Sequence, residues 1–292
     1  MAAHQKPLAL ARVISLIAVA WLLLASRSVG QAQPQRIISL IPSVTEMLFG
    51  MGAGARVVGV GNFDRFPPEA LTRPKVGGLI DPDIEKILSL KPDLVAVYGT
   101  QTDLRTQMDR AHIPMFLYEH AGLPDITTTI RALGRRVGNG ASANALADRI
   151  EASIADTRRR VAGKPQPRTM LVFGRDAETL RGIYASGGIG FLHDMLEVAG
   201  GTNVFADVKR QSVQATTELI LARAPDAIVE VGVETASSQA RNVKAWDALG
   251  SVPAVKTHHI YVLRGDDLMN PGPRVAQAIR RIAEALHPEA FR

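Results

Sequence analysis

Residues 85–99, Glu-Lys-Ile-Leu-Ser-Leu-Lys-Pro-Asp-Leu-Val-Ala-Val-Tyr-Gly, return in kind at 218–232 as Glu-Leu-Ile-Leu-Ala-Arg-Ala-Pro-Asp-Ala-Ile-Val-Glu-Val-Gly. Each copy reads as a short helix that opens on an acid and is halted at Pro-Asp, because proline lacks an N–H and disfavours helix at the residue before it. Each then enters an apolar run of the kind that a parallel strand covered on both faces requires. Two α/β lobes follow, with Glu85 and Glu218 at corresponding surface positions. That layout suits a protein that holds something in a cleft and docks through both halves.

The N-terminal segment stands apart from this pattern. Lys6 and Arg12 precede an apolar run, Val13 to Ala25, and a small-residue stretch ending Val29-Gly30-Gln31-Ala32. This is the layout of a secretory signal peptide cut near Ala32. The run is shorter than the roughly 20 residues of a membrane-spanning helix, and a retained anchor is the alternative. The sequence has no cysteine, so a lipid-modified cysteine, a disulfide and a thiolate metal site are all ruled out. An exported, untethered protein fits a periplasm. Loss of residues 1–32 removes Lys6, Arg12 and Arg27 and no acid, which lowers the formal charge from +6 to +3. A balance so small gives no reason to expect a nucleic-acid partner.

Strands alternate with helices along the rest, which implies parallel pairing and doubly wound lobes. Arg36 to Ile41 reads as a strand, and Ser43 with Glu46 as a capping box opening the next helix. Arg56 to Val60 is a second strand. Asp81 is expected to cap a helix with Pro82 in its first turn, ahead of strands Leu94 to Tyr98 and Pro114 to Tyr118. Helix is expected over 126–137 and, after Gly138-Asn139-Gly140, from Ser142 to Val161 with Leu146, Ile150, Ile154 and Val161 on one stripe. A second lobe then repeats the design: strand Thr169 to Phe173, helix Phe191 to Ala199, the second repeat, strand Ile260 to Leu263, and a closing helix Pro273 to Leu286. The expected organisation is a signal peptide at 1–32, an N-terminal lobe at 33–140, an interlobe helix at 141–163 and a C-terminal lobe at 164–292.

Several stretches carry a family resemblance: residues 36–46 (Arg-Ile-Ile-Ser-Leu-Ile-Pro-Ser-Val-Thr-Glu), 58–68 (Val-Gly-Val-Gly-Asn-Phe-Asp-Arg-Phe-Pro-Pro), 87–95, 219–228 and Pro273-Arg274. In this order they resemble the periplasmic substrate-binding proteins of ABC importers whose two lobes are joined by a rigid helix, the class III type that binds vitamin B12 or iron–siderophores, with the vitamin B12-binding kind nearest. The resemblance implies two Rossmann-like lobes, a ligand in the cleft between them, no catalysis, no resident cofactor, and a chain that works as a monomer with separate permease and ATPase subunits. It also implies that Glu85 and Glu218 pair with arginines of the permease. Taken singly, an acid in a first helical turn does no more than complement the helix dipole, by about 0.3–1 kcal/mol.

The pocket positions that the resemblance implies are Phe63, Leu79, Tyr98, Tyr184, Ser212, Asp266 and Asn270. A flat macrocycle such as a corrin needs aromatic walls and a few polar anchors, and Phe63, Tyr98 and Tyr184 suit the walls. Leu79 and Ser212 stand where the B12-binding pattern has tryptophan, so haem, another corrinoid or an iron–siderophore remains open. Arg210 and Arg264 are further candidates for contact with an anionic ligand. A metal-binding branch of the superfamily uses His and carboxylates at strand ends; His120, His193, His258 and His259 are available, although no two share ligand spacing. For an enzyme, the best hints are Gly50-Met-Gly-Ala-Gly54, which follows a helix, and Ser186-Gly-Gly-Ile-Gly190, which precedes one. Neither carries the lysine and hydroxyl residue of a nucleotide loop.

Overall fold

The computed structural model describes residues 33–119, 122–232 and 242–292. The expected signal peptide, its cleavage point at Ala32, and His120 lie outside the described residues. The first lobe is built on β1 (Ile37–Ser39), α1 (Pro42–Gly50), β2 (Val57–Val60), α2 (Ile84–Ser89), β3 (Leu94–Tyr98), α3 (Thr102–Arg110) and β4 (Met115–Tyr118). Its sheet is parallel throughout, in the order β2-β1-β3-β4. Helices α4 (Leu123–Arg136) and α5 (Gly140–Val161) follow.

The second lobe comprises β5 (Arg168–Gly174), β6 (Tyr184–Ser186), α6 (Phe191–Val198), β7 (Thr202–Asn203), β8 (Ser212–Gln214), α7 (Thr217–Arg223), β9 (Ala227–Gly232), α8 (Pro253–Lys256), β10 (Ile260–Arg264) and α9 (Val275–Leu286). Its sheet runs β10-β9-β5-β6-β8, with β7 beside β5. Strands β10, β9 and β5 are parallel, while β6 and β8 are antiparallel additions. The two-lobe α/β architecture of a class III periplasmic binding protein is thus present, with an antiparallel flank on its second sheet.

The repeated phrase encodes one joint twice. In the first copy the Asp93 carboxylate accepts the backbone N–H groups of Gln35 and Arg36 at 2.7 and 2.8 Å, and in the second Asp226 accepts that of Arg168 at 3.1 Å. These arginines return their guanidinium groups to the carbonyls that end the helix. Arg36 donates to Leu90 at 2.6 Å and Arg168 to Arg223 at 2.6 Å, which satisfies acceptors that a helix terminus leaves open. Lys91 and Ala224 take left-handed φ values of 48° and 43° to make the turn. Each joint seats a helix start at the surface, and Glu85 and Glu218 are both exposed there.

Two expected helix starts are corrected. Pro42 occupies the first turn of α1 and Ile41 is its N-cap, with no side-chain bond, so Ser43 and Glu46 form no capping box. A proline fits that first position because its fixed φ suits the helix and its missing N–H has no partner to lose. Glu46 turns instead to Arg274. Asp83, not Asp81, caps α2, accepting the Lys86 N–H at 2.8 Å. Residues 76–83 fold back on themselves through Asp83 N–H to Val76 O at 3.0 Å and Gly78 N–H to Asp81 O at 3.2 Å. That strap keeps Asp81 and Pro82 out of the helix.

Helix α5 has 22 residues, about 33 Å at 1.5 Å per residue. Ala143, Leu146, Ala147, Ile150 and Val161 are buried on it, and it packs against α4 and α9. One apolar core runs from Ile37 and Val44 of the first lobe through Ile150 and Ile279 to Leu171 and Val229 of the second. A shared core and a continuous helix oppose wide hinge opening, because both must be deformed for the lobes to part.

Candidate functional site

Ligands of doubly wound sheets bind beyond the carboxyl ends of the strands. Here the ends of β1, β2, β3 and β10 converge on a cavity of about 320 Å³, bordered by Phe63, Tyr98, Arg65, Glu46, Asp266 and Asn270. Phe63 leaves β2 and is 65% exposed. Tyr98 ends β3, and its ring meets that of Tyr118 edge-on with centroids 5.5 Å apart. Burial raises the phenol pKa of Tyr98, and the nearby Asp64 carboxylate adds to the effect. Burial likewise pushes Tyr118 up to about 12. Both phenols are therefore neutral donors at neutral pH.

The polar wall joins the two lobes. Glu46, only 4% exposed, accepts from Arg274 Nε at 2.9 Å, from Arg274 Nη2 at 2.6 Å, and from Asn270 Nδ2 at 2.7 Å. Arg274 Nη1 donates to Asp266 at 2.8 Å, and its guanidinium lies 4.1 Å from the centroid of the Phe66 ring. Burial raises the pKa of Glu46, an effect the Arg274 hydrogen bonds partly oppose. The Arg274 hydrogen bond holds Asp266 below its usual value. Burial works against the charge of Arg274, but the bonds to Glu46 and Asp266 outweigh it.

Below this wall lies Asp64, 2% exposed, neither of whose carboxylate oxygens accepts a hydrogen bond of good geometry. Burial raises it to about 6; Thr45, Lys75 and the Gly61 backbone are near enough to favour the ionised form but not to offset burial, and Glu46 opposes them.

Of the seven implied pocket residues, Phe63, Tyr98, Asp266 and Asn270 share this cavity and the other three do not border it. Leu79 is 45% exposed. Its carbonyl accepts from Gln101 Nε2 at 2.9 Å, and the same amide's oxygen accepts the Tyr98 N–H at 3.0 Å, so the loop is tied to the pocket through its backbone. Ser212 borders a separate cavity of about 240 Å³ with Phe173, Phe191 and Gln211. Tyr184, 44% exposed, has its ring 6.3 Å from that of Phe173. Arg210 is exposed, and Arg264 ends β10 with its carbonyl bonded to Arg281.

Glu218 is held below its usual carboxylate range by its own backbone N–H and by the Thr216 hydroxyl. Gly187 and Gly188 have a packing role: a Cβ on either would lie 2.0 or 2.2 Å from the carbonyl oxygen of Arg210 or Ala206. Their N–H groups already donate to Gln211 O at 3.1 Å and Val208 O at 2.8 Å, so they are committed away from any anion. Among the described residues no three His, Cys, Asp or Glu side chains are grouped to hold a metal ion, and no helix is long and apolar enough to cross a membrane. Sequence reasoning missed the partnership of Glu46 with Arg274, although both lie in stretches that carried the resemblance.

A two-lobed α/β protein with an interlobe helix and a cleft at the strand ends is a binding protein by design, and this chain belongs to the periplasmic binding protein family, whose pattern matches residues 37–266. It is 29% identical over 267 residues to YvrC of Bacillus subtilis strain 168, an uncharacterised ABC transporter substrate-binding lipoprotein, covering 89% of this chain and 82% of that one. It is 29% identical over 253 residues to the vitamin B12-binding protein of Salmonella typhimurium, covering 86% and 90%. Among solved structures, the periplasmic heme-binding protein RhuT of Roseiflexus sp. RS-1 superimposes with a TM-score of 0.73 at 25% identity, over 88% of this chain and 99% of that one.

Proposed function

We propose that this chain is the periplasmic substrate-binding component of an ABC importer, that it carries a corrinoid in the interlobe cleft, and that it is not an enzyme. The observation that carries this reading is the cavity itself, which is bordered by Phe63 and Tyr98 from the first lobe and by Asp266 and Asn270 from the second. Aromatic faces against a small set of polar anchors match a planar, amide-bearing macrocycle. The vitamin B12-binding relative supports the same ligand class. Haem is the second reading, favoured by Arg65 at the cavity and by Leu79 and Ser212 where a corrin site is expected to carry tryptophan.

Trp246, the sole tryptophan beyond the expected signal peptide, is fully buried in the second lobe. Its emission is quenched by energy transfer when a coloured ligand binds nearby. Titration of the protein with cyanocobalamin, hemin and a ferric siderophore is expected to give saturable one-to-one quenching with one of them. Silence toward all three, with no change in their visible spectra, would sink the chelate reading.

Glu85 and Glu218 are assigned to the permease, each an exposed acid at the start of a helix seated by the repeated joint. The double variant Glu85→Ala with Glu218→Ala is expected to abolish uptake when the binding protein is limiting, while chelate affinity stays unchanged. Uptake at the parental rate would remove the assignment.

A further inference from the structure

Glu46 borders the 320 Å³ cavity on one side and, on the other, a groove of about 490 Å³ lined by Phe49, Phe66, Arg73 and Pro273. The Glu46–Arg274 pair therefore contributes, through Glu46, to both linings. Its members come from opposite lobes. Glu46 and Phe66 belong to the first lobe, while Asp266, Asn270 and Arg274 follow the last strand of the second.

We propose that Arg274, clamped between Glu46 and Asp266, is a positioning residue that fixes the two lobes at the spacing in which Asp266 and Asn270 can meet a ligand lying against Phe63 and Tyr98. Both polar anchors that the second lobe brings to the cavity are tied to this clamp: Asn270 through its bond to Glu46, Asp266 through its bond to Arg274. The guanidinium is flat, holds Glu46 through two nitrogens and stacks on Phe66, so its orientation is set on three sides. A planar fork of this kind transmits geometry in a way that a lysine ammonium cannot. Preorganised anchors bind tightly because they lose little freedom when the ligand arrives. The clamp rests on the reading of the cleft as a ligand site, and its effect on lobe spacing is measurable without ligand.

The absence of cysteine allows clean labelling. Spin labels at Asp109→Cys on α3 and Lys256→Cys on α8, both exposed, report the interlobe distance by double electron–electron resonance. The otherwise unaltered protein is expected to give one narrow distribution, and Arg274→Met a broadened one. With whichever of cyanocobalamin or hemin the parent binds, Arg274→Met is expected to weaken binding at least tenfold through faster dissociation. Arg274→Lys should recover stability but not affinity.

Should Arg274→Met fail to fold because Glu46 is left buried and unpaired, Glu46→Gln with Arg274→Met removes both charges and carries the same test. A parental distribution together with parental affinity in the folded variants overturns the clamp. A parent that binds neither probe, with a broadened distribution in the variants, leaves the lobe-spacing role standing and overturns the ligand reading.

Discussion

Replacing Arg175 by methionine is expected to destabilise the protein by about 3–5 kcal/mol, because it strands a buried carboxylate. Arg175 follows the carboxyl end of β5, and its side chain and that of its partner Glu230 within β9 are both wholly inaccessible. Its Nε donates to Glu230 Oε1 at 2.6 Å, which also accepts Trp246 Nε1 at 2.7 Å. The remaining nitrogens are spent on backbone: Asp176 O at 2.9 Å, Ala177 O at 3.3 Å and Thr179 O at 3.4 Å through Nη1, and Asn242 O at 3.0 Å through Nη2. One guanidinium thus fastens the segment that leaves β5 to Glu230 on β9 and to the Asn242 backbone. Arg175→Lys is expected to retain little of this, since an ammonium offers fewer donors and no plane. Arg175→Met with Glu230→Gln should recover a large part, because the uncompensated charge disappears. Urea unfolding followed by Trp246 emission measures all three. A loss under about 1 kcal/mol in Arg175→Met would show that the pair is merely tolerated.

This pair also marks the limit of what the sequence discloses. Local signals were legible wherever the chain's own neighbours decide the outcome. Pro92-Asp93 and Pro225-Asp226 stop helices whatever the surroundings, and the stripe Leu146, Ile150, Val161 imposes a helical period of its own. Helix α3 escaped notice because its sequence is almost wholly polar, with only Leu104 and Met108 buried one turn apart. Strands β6 and β8 have three residues each, too few for an alternating pattern to declare itself.

The site was legible to the extent that a family pattern placed Phe63, Tyr98, Asp266 and Asn270, and illegible where two distant residues must meet. Glu46 and Arg274 are 228 positions apart. Nothing in the local sequence distinguishes a glutamate that caps a helix from one that crosses to another lobe. The error over the capping box follows directly: Ser43 and Glu46 have the spacing of a cap, but Pro42 claims the helix start and Arg274 supplies a partner that a backbone N–H cannot match, since paired ions make the stronger hydrogen bonds.

Asp64→Asn is expected to stabilise the protein at pH 7.5 and to have no such effect at pH 4. The carboxyl has a folded-state pKa of about 6 against an ordinary value of 3.8, with burial as the main cause. Below the ordinary value both folded and unfolded chains carry the proton, and Asp64 costs nothing on this account. Between the two values the unfolded chain releases the proton while the folded chain keeps it, so stability falls as pH rises. Above about 6 the folded protein carries the ionised group in its desolvated place, and the full penalty, about 3 kcal/mol from two pKa units, is present. Asparagine has the same shape and no charge to desolvate. The gain at pH 7.5 is therefore expected to be about 1–3 kcal/mol after allowance for imperfect amide pairing. Urea midpoints of parent and variant at the two pH values isolate the effect of Asp64 and of its immediate partners Glu46, Lys75 and Tyr98, because titrating groups that do not interact with it cancel in the difference. Equal destabilisation of the variant at both pH values would mean that the carboxylate is held by partners in solution and that its burial carries no penalty. A gain confined to the higher pH would identify Asp64 as a charge kept beneath Tyr98 against the interest of folding, which is where a binding cleft, rather than a core, sets the choice of residue.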